Sequence, residues 1–162
     1  MFGEIDYQLD FDKIDLEAYR DLDQKVKAHS GYASLEVEPF PRMRIMELGL
    51  MILEQLRRKI PSHAMYRVYT EEKMKYYMEL THQTPNVMEL EARLGEESVE
   101  YFIEKLAYEL QLVDLMVEFK PWERGDEETH SQQEMLQVLG RPHDEALRYL
   151  RAMPEQKTAL NE

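Results

Sequence analysis

"RMRIMELGLMILEQLRRKIPSHAMYRVYTEE", residues 42–72, decides the fold class. Its first half repeats apolar side chains at helical spacing: Ile45, Leu48, Ile52, Leu56 and Ile60 form one stripe, which Met46, Gly49, Leu50 and Leu53 widen. Arg57, Arg58 and Lys59 place cations in the last turn, where they meet the negative end of the helix dipole. Pro61 then ends the run, because it has no N–H and its ring collides with the preceding turn. A helix is expected from residue 41 or 42 to residue 60. Ser62 offers an N-cap hydroxyl to a second helix reaching residue 81. Along it Met65, Tyr69, Lys73, Tyr76 and Leu80 share a face, with Tyr66, Val68, Met74 and Tyr77 beside it. So wide a stripe calls for two neighbours.

The flanks extend this pattern. "THQTPNV" interrupts the second helix, and "NVMELEARLG" reads as a short helix that Gly95 closes in the left-handed conformation. A third core helix is expected over residues 96–119, with Val99, Phe102, Leu106, Leu110, Val113 and Val117 on one side and Ile103, Ala107 and Met116 close by. On the N-terminal side Phe11, Ile14, Ala18, Leu22 and Val26 predict an amphipathic helix over residues 11–29, acidic on its polar face and closed near Ser30-Gly31. Pro39 and Pro41 in "GYASLEVEPFPR" force an extended path and mark a boundary. Beyond "FKPWERGDEE" only "QQEMLQVLG" and "DEALRYLRAM" look helical. The expected fold is all-α: an antiparallel three-helix bundle over residues 41–124, an acidic helical extension over 1–40, and an extension with short helices over 125–162.

Composition agrees. The 162 residues are 43% hydrophobic and 33% charged, with only 6 glycines and 7 prolines, which is the balance of a globular helical chain. A net charge of −13 argues against nucleic acid, whose phosphates need a basic face. The sign is uneven: residues 42–80 hold eight cations against five carboxylates, whereas residues 1–41 hold four against ten. Without cysteine there are no disulfides, thiolate metal sites or cysteine nucleophiles. The richest apolar run, "IMELGLMILEQL", is interrupted by Glu47 and Glu54, so no transmembrane span is expected. The acidic N-terminus is the reverse of an Arg-rich presequence and has no signal-peptide apolar core, so import into an organelle would use an internal or atypical signal.

Catalytic chemistry is not readable. Glu79 with His82, and Glu127 with His130, match the Glu-x-x-His spacing of carboxylate-bridged metal bundles, yet both pairs fall at helix ends or in loops with no further inward carboxylates opposite. Asp10, Asp12 and Asp15 lack the glycine and ligand series of a calcium loop. The histidines (His29, His63, His82, His130, His143) lie at element ends, and no glycine-rich phosphate cradle occurs. No catalytic, cofactor or metal residue is assigned, and no cofactor is expected. The tyrosine-rich second helix and Trp122 remain, since aromatic rings with polar tips suit interfaces; the plainer reading makes Tyr69 and Tyr76 core.

The residues that remain unexplained carry a family resemblance. Ile60-Pro61, then Ala64, Tyr66, Arg67, Tyr69, Thr70 and Glu71, then Val87, Leu90, Glu91 and Leu94, then Glu109, Leu110 and Leu112, and finally Lys120, Trp122 and Glu123 follow in order. The run from Arg42 through Glu123 resembles the alpha-subcomplex subunit 5 family, accessory subunits of mitochondrial NADH:ubiquinone oxidoreductase, respiratory complex I. The resemblance implies a helical bundle and a non-catalytic accessory role. It also implies a place on the matrix-facing peripheral arm, peripheral to the mitochondrial inner membrane, with core and accessory subunits of that arm as partners. On this reading Tyr66, Arg67, Tyr69 and Trp122 are the expected partner interface. A free-standing helical adaptor or assembly factor, and more remotely a metalloprotein built on Glu79 and His82, are the alternatives. Residues 1–40 and the last 38 have no counterpart in the resemblance and are expected to reach neighbouring subunits.

Overall fold

In a computed structural model, which describes residues 4–21 and 29–123, every regular element of the described residues is helical. There are four α-helices among them: α1 (Pro41–Lys59), α2 (Met65–Gln83), α3 (Val87–Leu94) and α4 (Val99–Phe119). Pro41 occupies the first turn of α1, where its missing N–H costs nothing, and Arg57, Arg58 and Lys59 sit in its last turn as the sequence requires. The Asn86 side chain caps α3 by accepting from the N–H of Glu89 at 3.1 Å, and Gly95 closes it at φ +73°. Glu91 of α3 then accepts from the N–H of Val99 at 3.0 Å, so one helix caps the next.

The core follows the stripes. Ile45, Leu48, Ile52, Leu56 and Ile60 are all buried, joined by Met74, Met78 and Leu80 of α2, Leu90 of α3, and Val99, Phe102, Leu106, Val113 and Met116 of α4. α1 packs against both α2 and α4. Arg42, at the start of α1, donates to the carbonyls of Thr81 and His82 at the end of α2, while Arg67 near the start of α2 reaches the carbonyl of Ile60, so the two helices run in opposite directions. α2 and α4 oppose each other likewise, since Lys73 meets Glu109 and Tyr77 meets Phe102. Gly49 leaves room for the Met78 side chain of α2 against α1: a Cβ there would lie 2.6 Å from Met78 Sδ.

Three expectations need correction. The helix predicted over residues 11–29 is not formed in its described part, where residues 11–21 contain only a 3-10 turn at Leu16–Tyr19; residues 22–28 lie outside the described residues. Asp10 and Asp15 accept from the backbone N–H groups of Asp12 and Glu17, and such local bonds compete with helix. Of the expected stripe Phe11 and Ile14 face the core but Ala18 is exposed, and Leu16 and Tyr19, which the helical spacing did not include, face the core in its place. Second, Ser62 is not the N-cap of α2: the N–H of Ala64 bonds the carbonyl of Pro61 at 3.1 Å, which spends Ser62 and His63 in a turn and starts the helix later. Third, Met65 and Val68 do not join the buried face of α2 but are 54% and 40% exposed. The extension over 125–162 lies outside the described residues, as do Glu127, His130 and His143.

Candidate interaction surface

Arg67 is the hinge-pin of the α1–α2 connection. Its Nη1 donates to the carbonyl of Ile60 at 2.9 Å and its Nε to Glu71 Oε1 at 2.8 Å, with 21% of its side chain exposed. One guanidinium therefore satisfies the carbonyl of Ile60, the C-cap residue of α1, and a carboxylate one turn along α2. Pro61 fixes the path between them.

The two flanking tyrosines turn inward. Tyr66 is 4% exposed and Tyr69 8%, both in the core. Burial and the Glu109 carboxylate push the Tyr66 phenol well above its ordinary value, and burial with Glu109 raises Tyr69 as well. Lys73, also on this face, donates to Glu109 Oε2 of α4 at 3.0 Å, with the two side chains 7% and 13% exposed, and lies 5.8 Å from the Tyr69 ring centroid. Tyr77 meets Phe102 edge to face at 5.0 Å, and burial foremost pushes its phenol up to about 12. α4 thus meets the tyrosine face of α2 at two points, Lys73 with Glu109 and Tyr77 with Phe102.

Of the four residues expected at a partner interface, Tyr66 and Tyr69 offer almost no surface. Arg67 keeps an exposed edge, and Trp122, in a 3-10 turn at Pro121–Glu123, is half-buried against the core. The structure does not gather the four into one exposed patch. Next to Arg67, Met65 and Val68 form the exposed apolar ridge of α2. Sequence reasoning placed that pair in the core because it counted the helical period without knowing where α1 and α4 would lie.

Glu79 and His82 do other work. Glu79 is fully buried, and its carboxylate oxygens accept from the backbone N–H groups of Gln8 and Leu9 at 2.9 and 3.0 Å. His82 Nδ1 meets the Tyr19 hydroxyl at 2.8 Å. Among the described residues no group of three or more His, Asp and Glu side chains is arranged to hold a metal ion, and no helix is long and apolar enough to cross a membrane.

A family described as the ETC complex I subunit conserved region matches residues 34–101. NADH dehydrogenase (ubiquinone) 1 alpha subcomplex subunit 5 of Rattus norvegicus is 37% identical over 108 residues, covering 67% of this chain and 92% of the relative. The chain belongs to the alpha subcomplex subunit 5 family. The subunit 5 of Bos taurus is 34% identical over the same shares of both chains. A relative named as a probable subunit 5 in Caenorhabditis elegans is 32% identical over 97 residues, 60% of this chain and 64% of its own. In this chain the residues that carried the resemblance have structural duties: Arg67 closes the α1–α2 turn, Leu90 is core, Glu91 caps α4, and Glu109 pairs with Lys73.

Proposed function

We propose that this chain is a non-catalytic accessory subunit of mitochondrial respiratory complex I. It sits on the matrix side of the inner membrane and stabilises the peripheral arm through contacts with core and accessory subunits. The observation that carries the reading is the 37% identity across 92% of a relative named as a subunit of this enzyme. A relative in Arabidopsis thaliana, 30% identical over 103 residues, is named as mitochondrial, which supports the location. The docking unit in this proposal is residues 41–124, with α1, α2 and α4 acting as one three-helix bundle. Arg67 with the exposed Met65 and Val68 beside it, and Trp122 at the other end of the described helices, contribute separate partner contacts, while the buried Tyr66 and Tyr69 stiffen α2 next to Arg67. Exposed methionine and valine around a guanidinium suit a protein surface that is apolar at its centre and charged at its rim.

Native-gel separation of gently solubilised mitochondrial membranes, with mass spectrometry of each band, tests this directly. Stoichiometric co-migration with NADH dehydrogenase activity is expected. Recovery of the chain free, or in a small complex without that activity, would overturn the subunit reading in favour of an adaptor or assembly factor.

A further inference from the structure

One turn of α2 grips the N-terminal segment at three places. Glu79 takes the backbone N–H groups of two consecutive residues, Gln8 on Oε1 and Leu9 on Oε2. Gln83, four residues on, donates its amide to the Asp6 carbonyl at 2.6 Å and braces Glu79 Oε1 at 2.8 Å. His82 holds Tyr19, itself only 6% exposed. From α1, Arg42 adds a further anchor by donating to Asp21 Oδ1 at 3.0 Å while its other nitrogens hold the end of α2. Between these anchors Ile5, Leu9, Phe11, Ile14 and Leu16 lie against the core.

A buried carboxylate is tolerated only when donors replace its water. For Glu79 those donors come from Gln83 and from a segment about 70 positions away in sequence. They are main-chain groups, which any extended stretch carries, while the apolar residues beside them set the register. The family match begins at residue 34, so Glu79, His82, Gln83 and Arg42 lie inside the matched region and the segment they hold lies outside it.

We infer that residues 4–21 are a cis-acting strap that completes the helical body, with Glu79 as its latch, so that the chain reaches its docking shape before it meets a partner. In place of an arm reaching toward a neighbour, this part of the N-terminal extension is a splint across α1 and α2. Glu79 is a positioning residue: it acts through the strap and through the mutual angle of the two helices.

Amide hydrogen exchange of the full chain tests the latch without any complex. The amides of Gln8 and Leu9 should be protected in the natural chain. Glu79→Gln, which exchanges one acceptor for a donor, should cut that protection about tenfold or more while amides of α1 and α4 stay protected. Gln83→Ala should cause a smaller loss confined to the same segment, and it decides the matter if Glu79→Gln does not fold. Free-peptide exchange at Gln8 and Leu9 in the natural chain, or unchanged protection in both variants, would overturn the inference. The docking half rests on the subunit reading. Released straps should lower incorporation into complex I, more for Glu79→Gln than for Gln83→Ala, in step with the protection each loses at Gln8 and Leu9. Full incorporation of a chain whose strap is shown to be open would reduce the segment to decoration. Failure of the natural chain to co-migrate with the enzyme would instead sink the subunit reading, and the exchange result would stand on its own.

Discussion

Lys73 Nζ lies 3.0 Å from Glu109 Oε2, and this buried pair joins α2 to α4 in the middle of the tyrosine face. Removing one partner leaves the other charged and desolvated. Lys73→Met should therefore cost about 3–5 kcal/mol in chemical unfolding, whereas Lys73→Met combined with Glu109→Leu should recover most of that loss. A double variant no more stable than the single one would mean that the pair supplies more than charge compensation.

Alkaline stability should fall earlier than solvent-exposed tyrosines would predict. The Tyr77 phenol is raised from 10.0 to about 12 in the folded chain, and burial pushes the Tyr66 phenol well above its ordinary value too. The unfolded chain then loses those protons first, so the stabilisation is present below pH 10 and disappears as pH rises through 12. Tyr77 alone contributes on the order of 2–3 kcal/mol across that window. Phenolate absorbance and helical circular dichroism, followed together, should show these tyrosines ionising only as the helices melt.

Gly49→Ala should destabilise although alanine is the better helix former. The new Cβ would lie 2.6 Å from Met78 Sδ and 2.8 Å from Met78 Cγ, and Met78 is 1% exposed with little room to move. Crowding of this kind costs about 1–3 kcal/mol, against a propensity gain of about 1 kcal/mol. Combining it with Met78→Ala should give less than the sum of the two single losses.

Arg42→Lys should be far from neutral. A lysine keeps the charge opposite Asp21 but cannot hold the carbonyls of Thr81 and His82 with the same planar fork. About half of the loss caused by Arg42→Ala, itself about 3–5 kcal/mol, is expected in thermal or urea unfolding.

Arg67→Ala should lower stability by about 1–2 kcal/mol, because the Ile60 carbonyl loses its donor, and should also weaken incorporation into complex I. Arg151→Ala in the C-terminal extension serves as the comparison and should do neither. Equal, small effects of both would confine Arg67 to scaffolding.

The parts of this fold that depend on one helix at a time were readable from sequence. The apolar stripe of α1, the end of that helix before Pro61, and the glycine closing α3 all express local rules. What escaped depends on long-range partners. Lys73 stood on an apolar stripe, a signal that a carboxylate had to face it, but nothing in the spacing named Glu109. Glu79 and His82 were seen as a pair and read as surface or metal chemistry, because a main-chain ligand from residues 8 and 9 leaves no side-chain signature. The strap misled in the same way: Phe11, Ile14 and Ala18 fit a helical period, yet Ala18 is exposed and Leu16 and Tyr19, off that period, are the residues that reach the core. Nor could spacing decide between the two readings of Tyr69, interface or core, or show that Tyr66 and Tyr69 end up almost fully buried.

The separation between Glu79 and its ligands also sets an order of events during synthesis. α1 and α2 are near neighbours in the chain and can pair as soon as both have emerged, since the loop to be closed is short. The strap leaves the ribosome before either, yet its bonds to Glu79 span 70 and 71 positions and have no partner until α2 is complete. α4 follows later still, so a nascent α1–α2 hairpin exposes Tyr66, Tyr77 and Lys73 to the surroundings for the time taken to make residues 99–119. Held by its strap and open on its tyrosine face, that hairpin is the species a chaperone would meet.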